Sequence, residues 1–381
     1  ATEVNLNEIS NYSDVESIEL TNTFNNDQPN KSLLLAGGEG LGDSSSFSES
    51  FSSTTTASFS ADFAIGAVDG KGINAANPTD GDETLQAVYG FQIDLNTSFT
   101  GEDSLDIAID AGNSFTTSPL AEFDLNGKVT TGTDSTADIL VVDGVSYTFP
   151  LGDKATVIVG DNTDGSALFN IACVYGGPSN TLDDCGTVKA GITGGGVALG
   201  ASYDIGSGFT TAVGFQFTET GIATEGNSDS YAFNFAYTAD NYGLSYTYAA
   251  YETSGTRGLA HTDSYNAFNG YYTLDNGLSI SAGYEAGALQ NATSDDNDET
   301  VSYFVGVDTE VGPGTLGVAY GTYGTMTEAA TVIPDRMMYE AYYSYDVNDG
   351  MTITPLIYTV EGSSATDEDE TGIMVKTSFS F

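Results

Sequence analysis

Apolar and polar residues alternate at period two over most of this chain. In the last stretch, Thr371 to Phe381, Ile373, Val375, Thr377, Phe379 and Phe381 share one face, and Met374, Lys376, Ser378 and Ser380 share the other. That is the pattern of a β-strand with one apolar and one polar side. The same alternation appears early, with Ala57, Phe59, Ala61, Phe63 and Ile65 set against Ser58, Ser60 and Asp62. It recurs with Leu85, Ala87, Tyr89, Phe91, Ile93 and Leu95 against Gln92 and Asp94, and with Leu105, Ile107 and Ile109 against Asp106 and Asp110. A fourth strand, roughly 138–149, changes phase at Asp143-Gly144 and predicts a bulge there. The fifth runs 154–160. After a long insertion come strands near 195–204, 209–219, 229–239, 242–252, 263–274, 277–288, 300–309, 314–325, 336–346, 350–360 and 370–381, making sixteen. Pro355 falls inside the strand at 350–360, whose phase is ambiguous, and predicts a local bulge.

The connectors alternate short and long. Tight turns rich in Gly, Asp and Asn occupy 100–102, 151–153, 205–208, 240–241, 275–276, 310–313 and 347–349. Longer links fall at 69–83, 113–136, 161–194, 220–228, 253–262, 289–299, 326–335 and 361–369. An even strand count with all short turns at one end is the layout of an all-β, transmembrane antiparallel barrel. The short turns are then periplasmic and the long loops extracellular. No charged residue falls on the faces assigned outward, where a lysine or arginine at mid-membrane depth costs about 2–4 kcal/mol. Residues 1–50 do not alternate and read as a periplasmic extension of a barrel spanning 51–381. Ala1 without a preceding Met, and without a signal peptide, reads as the start of a mature, cleaved product.

Composition sharpens this. The chain of 381 residues has 46 Gly, 23 Tyr and 20 Phe, no Trp, one His and only 8 Lys+Arg. No apolar run is long enough for a spanning helix, whereas a spanning strand needs only about ten residues. A net charge of −46 excludes nucleic acid as a partner, because binding it requires a basic footprint. Cys173 and Cys185 read as a disulfide across a short loop, worth roughly 3 kcal/mol by chain entropy, or else as two unrelated buried thiols. His261, the only imidazole, is expected in an external loop, so neither a Ser–His–acid set nor a multi-His metal site can be assembled. The run Gly37 to Gly42 lacks the strand, helix and lysine of a phosphate loop. No enzyme is expected.

Three stretches, SFTGEDSLDIAIDAGN (98–113), YTFPLGDKATVIVGD (147–161) and FSSTTTASFS (51–60), resemble marine cyanobacterial outer-membrane porins. Those proteins are related to the carbohydrate-selective porins and are often labelled iron-uptake porins. The resemblance implies a sixteen-stranded, trimeric outer-membrane barrel that passes small solutes. Family members usually carry an N-terminal surface-layer-homology domain; residues 1–50 are too short and irregular for one. The resemblance also implies that the third long link, 161–194, folds into the lumen and constricts it. That link holds both cysteines with Asp161, Asp164, Asp183, Asp184 and Lys189. The alternative is an external, merely crosslinked loop.

Inward positions on the wall include Asp62, Asp94, Asp106, Asp110 and Glu340, while the basic candidates are Lys154, Arg336 and Lys376. Arg336 and Glu340 lie four residues apart on one face. With so few cations the expected selectivity is for cations. Acidic runs at 80–83, 295–299 (Asp295, Asp296, Asp298, Glu299) and 367–370 read as solvated faces or as weak Ca²⁺ or Mg²⁺ sites bridging loops or lipopolysaccharide. No cofactor is required. The expected activity is passive diffusion of small hydrophilic solutes and inorganic ions, and the alternative is a structural or adhesive surface scaffold.

Overall fold

The structure, a computed structural model, describes residues 55–69, 84–113, 120–123, 125, 138–224, 227–254, 260–290, 298–327, 336–362 and 368–381. They belong to the compact unit Thr54–Phe381. Residues 1–50, expected as a periplasmic extension, lie outside them. The wall is built from β1 (Thr55–Asp69), β2 (Gln86–Thr97), β3 (Ser104–Gly112), β4 (Val141–Leu151), β5 (Ala155–Asp161), β6 (Val197–Gly206), β7 (Phe209–Phe217) and β8 (Ser230–Thr238). It continues with β9 (Tyr242–Ser254), β10 (Ala260–Thr273), β11 (Ser279–Leu289), β12 (Asp298–Val311), β13 (Gly314–Thr322), β15 (Met337–Asn348), β16 (Met351–Val360) and β17 (Glu370–Ser380). Between β13 and β15, the two-residue β14 (Met326–Thr327) pairs with the start of β12, beyond the end of β13.

Sixteen long strands thus follow one another as antiparallel neighbours, and β1 pairs with both β2 and β17. The sheet closes. Closure matters because a free edge would leave backbone donors and acceptors unsatisfied in hydrocarbon. At the seam Phe59 and Phe381 exchange backbone hydrogen bonds of 2.9 and 3.0 Å, and their rings stack at 5.8 Å. Short turns at one end are fixed by local chemistry. In the β2–β3 turn, Asp103 accepts from the Phe99 and Thr100 amides, the Ser98 and Thr100 hydroxyls and the Tyr147 hydroxyl.

Alternation assigns the two faces. Ile373 is 62% exposed and its neighbour Met374 only 1%. Phe63, Ile65, Val213, Phe233, Leu244, Phe268, Val305 and Ile357 all present large apolar surface on the same outer side. Acidic residues with outward parity, Asp69, Asp161, Glu252 and Glu299, sit within two residues of a strand's long-link end. Between the rims the outer band is therefore uncharged among the described strand residues, as hydrocarbon contact demands.

The bulge at Asp143 is present: Ala108 faces Gly144 while Ile109 faces Val142. The bulge expected at Pro355 is not. Pro355 keeps register with Val375 on β17, and on the β15 side Tyr342↔Leu356 and Tyr345↔Ile353 share one register across it. The slip lies instead at Asp346/Asn348, beside the turn. The phase of β16 is ambiguous in sequence because both of its faces carry apolar residues: Leu356, Tyr358 and Val360 are buried inward, while Ile357 faces out. His261 also departs from expectation, since its backbone pairs with Thr253 inside β10 rather than lying in a loop.

Candidate functional site

The residues between β5 and β6 form an extended excursion that touches one face of nearly half the wall. Its amides at alternate positions are captured by side chains of successive strands. Asn170 N–H donates to Asn234 Oδ1 on β8 (3.0 Å), Ala172 to Ser245 Oγ on β9 (2.8 Å), Val174 to Ser281 Oγ on β11 (3.1 Å) and Gly176 to Asp308 Oδ2 on β12 (3.2 Å). The Tyr175 hydroxyl donates to Glu340 Oε1 on β15 at 2.6 Å. On the return limb Ser302 donates to the Gly186 carbonyl and Asn269 to the Cys185 carbonyl. Glu285 accepts from the Lys189 and Ala190 amides at 3.0 and 2.7 Å. At the root Gln216 of β7 receives the Gly165 amide and donates to the Thr163 carbonyl. A segment that meets β7 through β12 and β15 on the same face of a closed sheet lies inside it.

This arrangement answers where the segment's backbone groups go once they leave water. It also explains why the inner faces of these strands carry single polar residues such as Asn234, Asn269 and Glu285, each almost wholly buried. Two glycines permit the close approach. A Cβ at Gly283 would lie 1.8 Å from the Cys185 carbonyl oxygen, and one at Gly214 would lie 2.0 Å from that of Gly165. Cys173 and Cys185 form a disulfide joining the two limbs, with Cα atoms 6.4 Å apart.

Four of the sequence-predicted acids share the inner face of β1 to β3. Asp62 lies opposite Gly90, and Asp94 lies opposite Ala108, the residue between Asp106 and Asp110 on that face. Gln92 donates to Asp94, and Ser104 and Asn96 donate to Asp106. Asp110 is buried, while Asp62, Asp94 and Asp106 are half-exposed. Asp62, Asp94 and Asp106 are left partly open, in contrast to Asp110 and to the inner faces of β8 to β12, which the loop covers. On the loop, Asp183, Asp184 and Lys189 are exposed. Enclosure by surrounding protein and the nearby Asp164 charge push the Asp184 carboxyl up to about 6, with Lys189 pulling the other way. Burial likewise raises Asp164, against the hydrogen bond from the Gly194 amide.

Other assignments need correction. Lys154 lies exposed in the β4–β5 turn, 5.9 Å from the Tyr203 ring on the outer face, so it borders the short-turn rim and not the lumen. Asp161 pairs with Val145 and Val197 and points outward at the end of β5. Arg336 and Glu340 share a face as expected, with four residues of extended strand, roughly 13 Å, between them. Arg336 pairs with Glu370 at 3.3 Å, donates to the Glu361 carbonyl and stacks over Tyr323. Lys376 points inward over the Phe123 ring. Asp295 and Asp296 lie outside the described residues, as does the Asp298 side chain; Glu299 is exposed at the start of β12. Among the described residues no group of three or more His, Cys, Asp or Glu is placed to hold a metal ion.

Sequence reasoning missed the anchors themselves, Gln216, Asn234, Ser245, Asn269, Ser281, Glu285 and Asp308. Their signal was present as polar residues interrupting inward positions on consecutive strands. It also missed Leu120, Glu122, Phe123 and Leu125 of the second long link, which are buried inside the barrel.

No family model matches the sequence, and no curated protein matches it. Solved structures do. An anion-selective porin from Comamonas acidovorans aligns with TM-score 0.59 and 12% identity, over 86% of this chain and 100% of that one. In-vitro folded OmpT, an outer membrane protein of Vibrio cholerae in its trimer form, gives 0.57 and 12% over 86% and 99%. A variant of a Rh. blastica porin gives 0.51 and 11% over 86% and 100%. This chain has the porin fold. Identity this low carries the architecture alone, so selectivity has to be argued from the residues of this barrel.

Proposed function

We propose that this protein is an outer-membrane porin, a water-filled channel for passive diffusion of small hydrophilic solutes and inorganic ions, with preference for cations. The observation that carries the reading is the internal loop: a disulfide-bridged segment pinned to the inner wall of a closed, lipid-compatible barrel is placed to narrow a channel through it. The acids Asp62, Asp94 and Asp106 on the wall and Asp164, Asp183 and Asp184 on the loop supply a negative field on both sides of the remaining passage. Cations concentrate in such a field and anions are depleted. Among the described residues Lys189 and Lys376 are the opposing charges in the lumen, and both are outnumbered. The anion selectivity in the name of the Comamonas porin belongs to that protein, whose likeness to this chain is one of fold.

A homotrimer is part of the proposal, supported by the trimeric form of the Vibrio structure. It is supported too by β5, whose seven residues fall short of the roughly 9–11 that a strand needs to cross hydrocarbon alone. A subunit neighbour covers such a short wall better than lipid does. The loop carboxylates Asp295, Asp296, Asp298 and Glu299 are proposed to meet lipopolysaccharide, through Ca²⁺ or Mg²⁺ where these are bound. Reconstitution into planar bilayers tests the reading: stable channels in groups of three support it, and absence of conductance from folded protein contradicts it.

A further inference from the structure

The inner faces of β15 to β17 carry a run of apolar side chains where a purely water-filled barrel would be polar. Met338, Tyr342, Leu356, Tyr358, Val360 and Met374 are all buried. What covers them is the second long link: Leu120, Phe123 and Leu125 are at most 1% exposed and join the same apolar cluster, together with Leu182 of the third loop. Phe123 forms an antiparallel bridge with Ser179 at the tip of that loop. Glu122 accepts the Asn180 amide on its backbone carbonyl at 2.8 Å and the Thr181 hydroxyl on its carboxylate at 3.2 Å. Gly90 on β2 has no side chain to hold the segment off, since a Cβ there would overlap the Leu125 carbonyl.

We propose that Leu120, Glu122, Phe123 and Leu125 of the second long link are a latch that sets the position of the third loop's tip, so that two loops and not one define the aperture. The wall anchors of the third loop run along both limbs, but beyond Gly176 its tip turns over the β13–β17 sector. There its backbone partner is the second loop. The latch fills that sector with apolar side chains and leaves the half-exposed Asp62, Asp94 and Asp106 as the open side. Lys376, over the Phe123 ring, sits at its edge.

The inference rests on the channel reading above, and the test separates the two. Wild-type protein giving no channels would remove the channel reading itself. With channels present, Phe123→Ala is expected to fold as judged by heat-modifiable mobility, and to show open-channel noise several-fold above wild type with larger mean conductance. Wild-type noise and conductance in that folded variant would overturn the latch. Should Phe123→Ala fail to fold, the double variant Phe123→Cys/Ser179→Cys carries the test. Residues directly opposed in an antiparallel pair hold their Cα atoms about 4.5–5.5 Å apart, within the span a disulfide bridges. Its oxidised form is expected to be quiet and its reduced form noisy, with reductant-treated wild type correcting for loss of the native disulfide. Indistinguishable oxidised and reduced channels would overturn the proposal.

Discussion

The Tyr175 hydroxyl donates a 2.6 Å hydrogen bond to Glu340, joining the middle of the internal loop to β15 across a chain separation of 165 residues. Both groups are buried, so neither is easily resatisfied by water if the other is removed. Tyr175→Phe leaves a carboxylate oxygen without its donor at a cost of about 2 kcal/mol. A displaced loop then becomes roughly thirtyfold more populated. Single-channel records of Tyr175→Phe should show added flicker at unchanged main conductance. Gly283→Val should do more, because it drives a side chain into the Cys185 carbonyl and forces the return limb off the wall.

The pH dependence follows from Asp184. Its pKa is raised to about 6, so the charge is present above that pH and lost below it. Cation preference should therefore weaken as pH falls from 8 to 5, with a midpoint near 6. Asp184→Asn should flatten this profile and shift the high-pH selectivity toward anions. A profile unchanged by the substitution would place the titrating group elsewhere.

The outer band offers a test of membrane exposure. Val305 lies at the middle of β12 with its side chain facing out. Val305→Arg should destabilise the folded barrel by about 2–4 kcal/mol in lipid vesicles, measured by denaturant unfolding. The same substitution at the rim residue Glu299 should cost at most about 1 kcal/mol.

The disulfide makes a separable contribution. Replacing Cys173 and Cys185 by serine removes a crosslink spanning 12 positions, worth about 3 kcal/mol on chain-entropy arguments. Each cysteine is flanked by residues tied to the wall: Ala172 and Val174 by Ser245 and Ser281, Gly186 by Ser302. Unfolding should shift to lower denaturant while selectivity in the folded channel stays close to wild type.

The wall was legible in sequence because lipid imposes one rule on every second residue. Phe63 and Ile65, or Ile373 and Val375, could not be placed inward without exposing Asp62 or Lys376 to hydrocarbon. The strand ends were less legible where pairing runs past the membrane: β10 takes in His261 and β12 starts at Asp298. The lumen was legible only where it is wet. Asp94 and Asp106 read as inward acids and are so, but Leu356 and Tyr358 leave the phase of their strand ambiguous until the second loop is placed over them. Lys154 and Arg336 were misplaced because period-two counting gives a face and not a depth. Both stand at rims, beside Tyr203 and Glu370 respectively. The loop anchors were illegible because Asn234 and Glu285 are indistinguishable, one strand at a time, from residues that line water.

The most direct test is the reversal potential of purified protein in a planar bilayer under a KCl gradient. The account predicts stable ohmic channels with a reversal potential of the sign given by a cation-permeable pore. Folded protein that conducts nothing, or that reverses with the opposite sign, would contradict it.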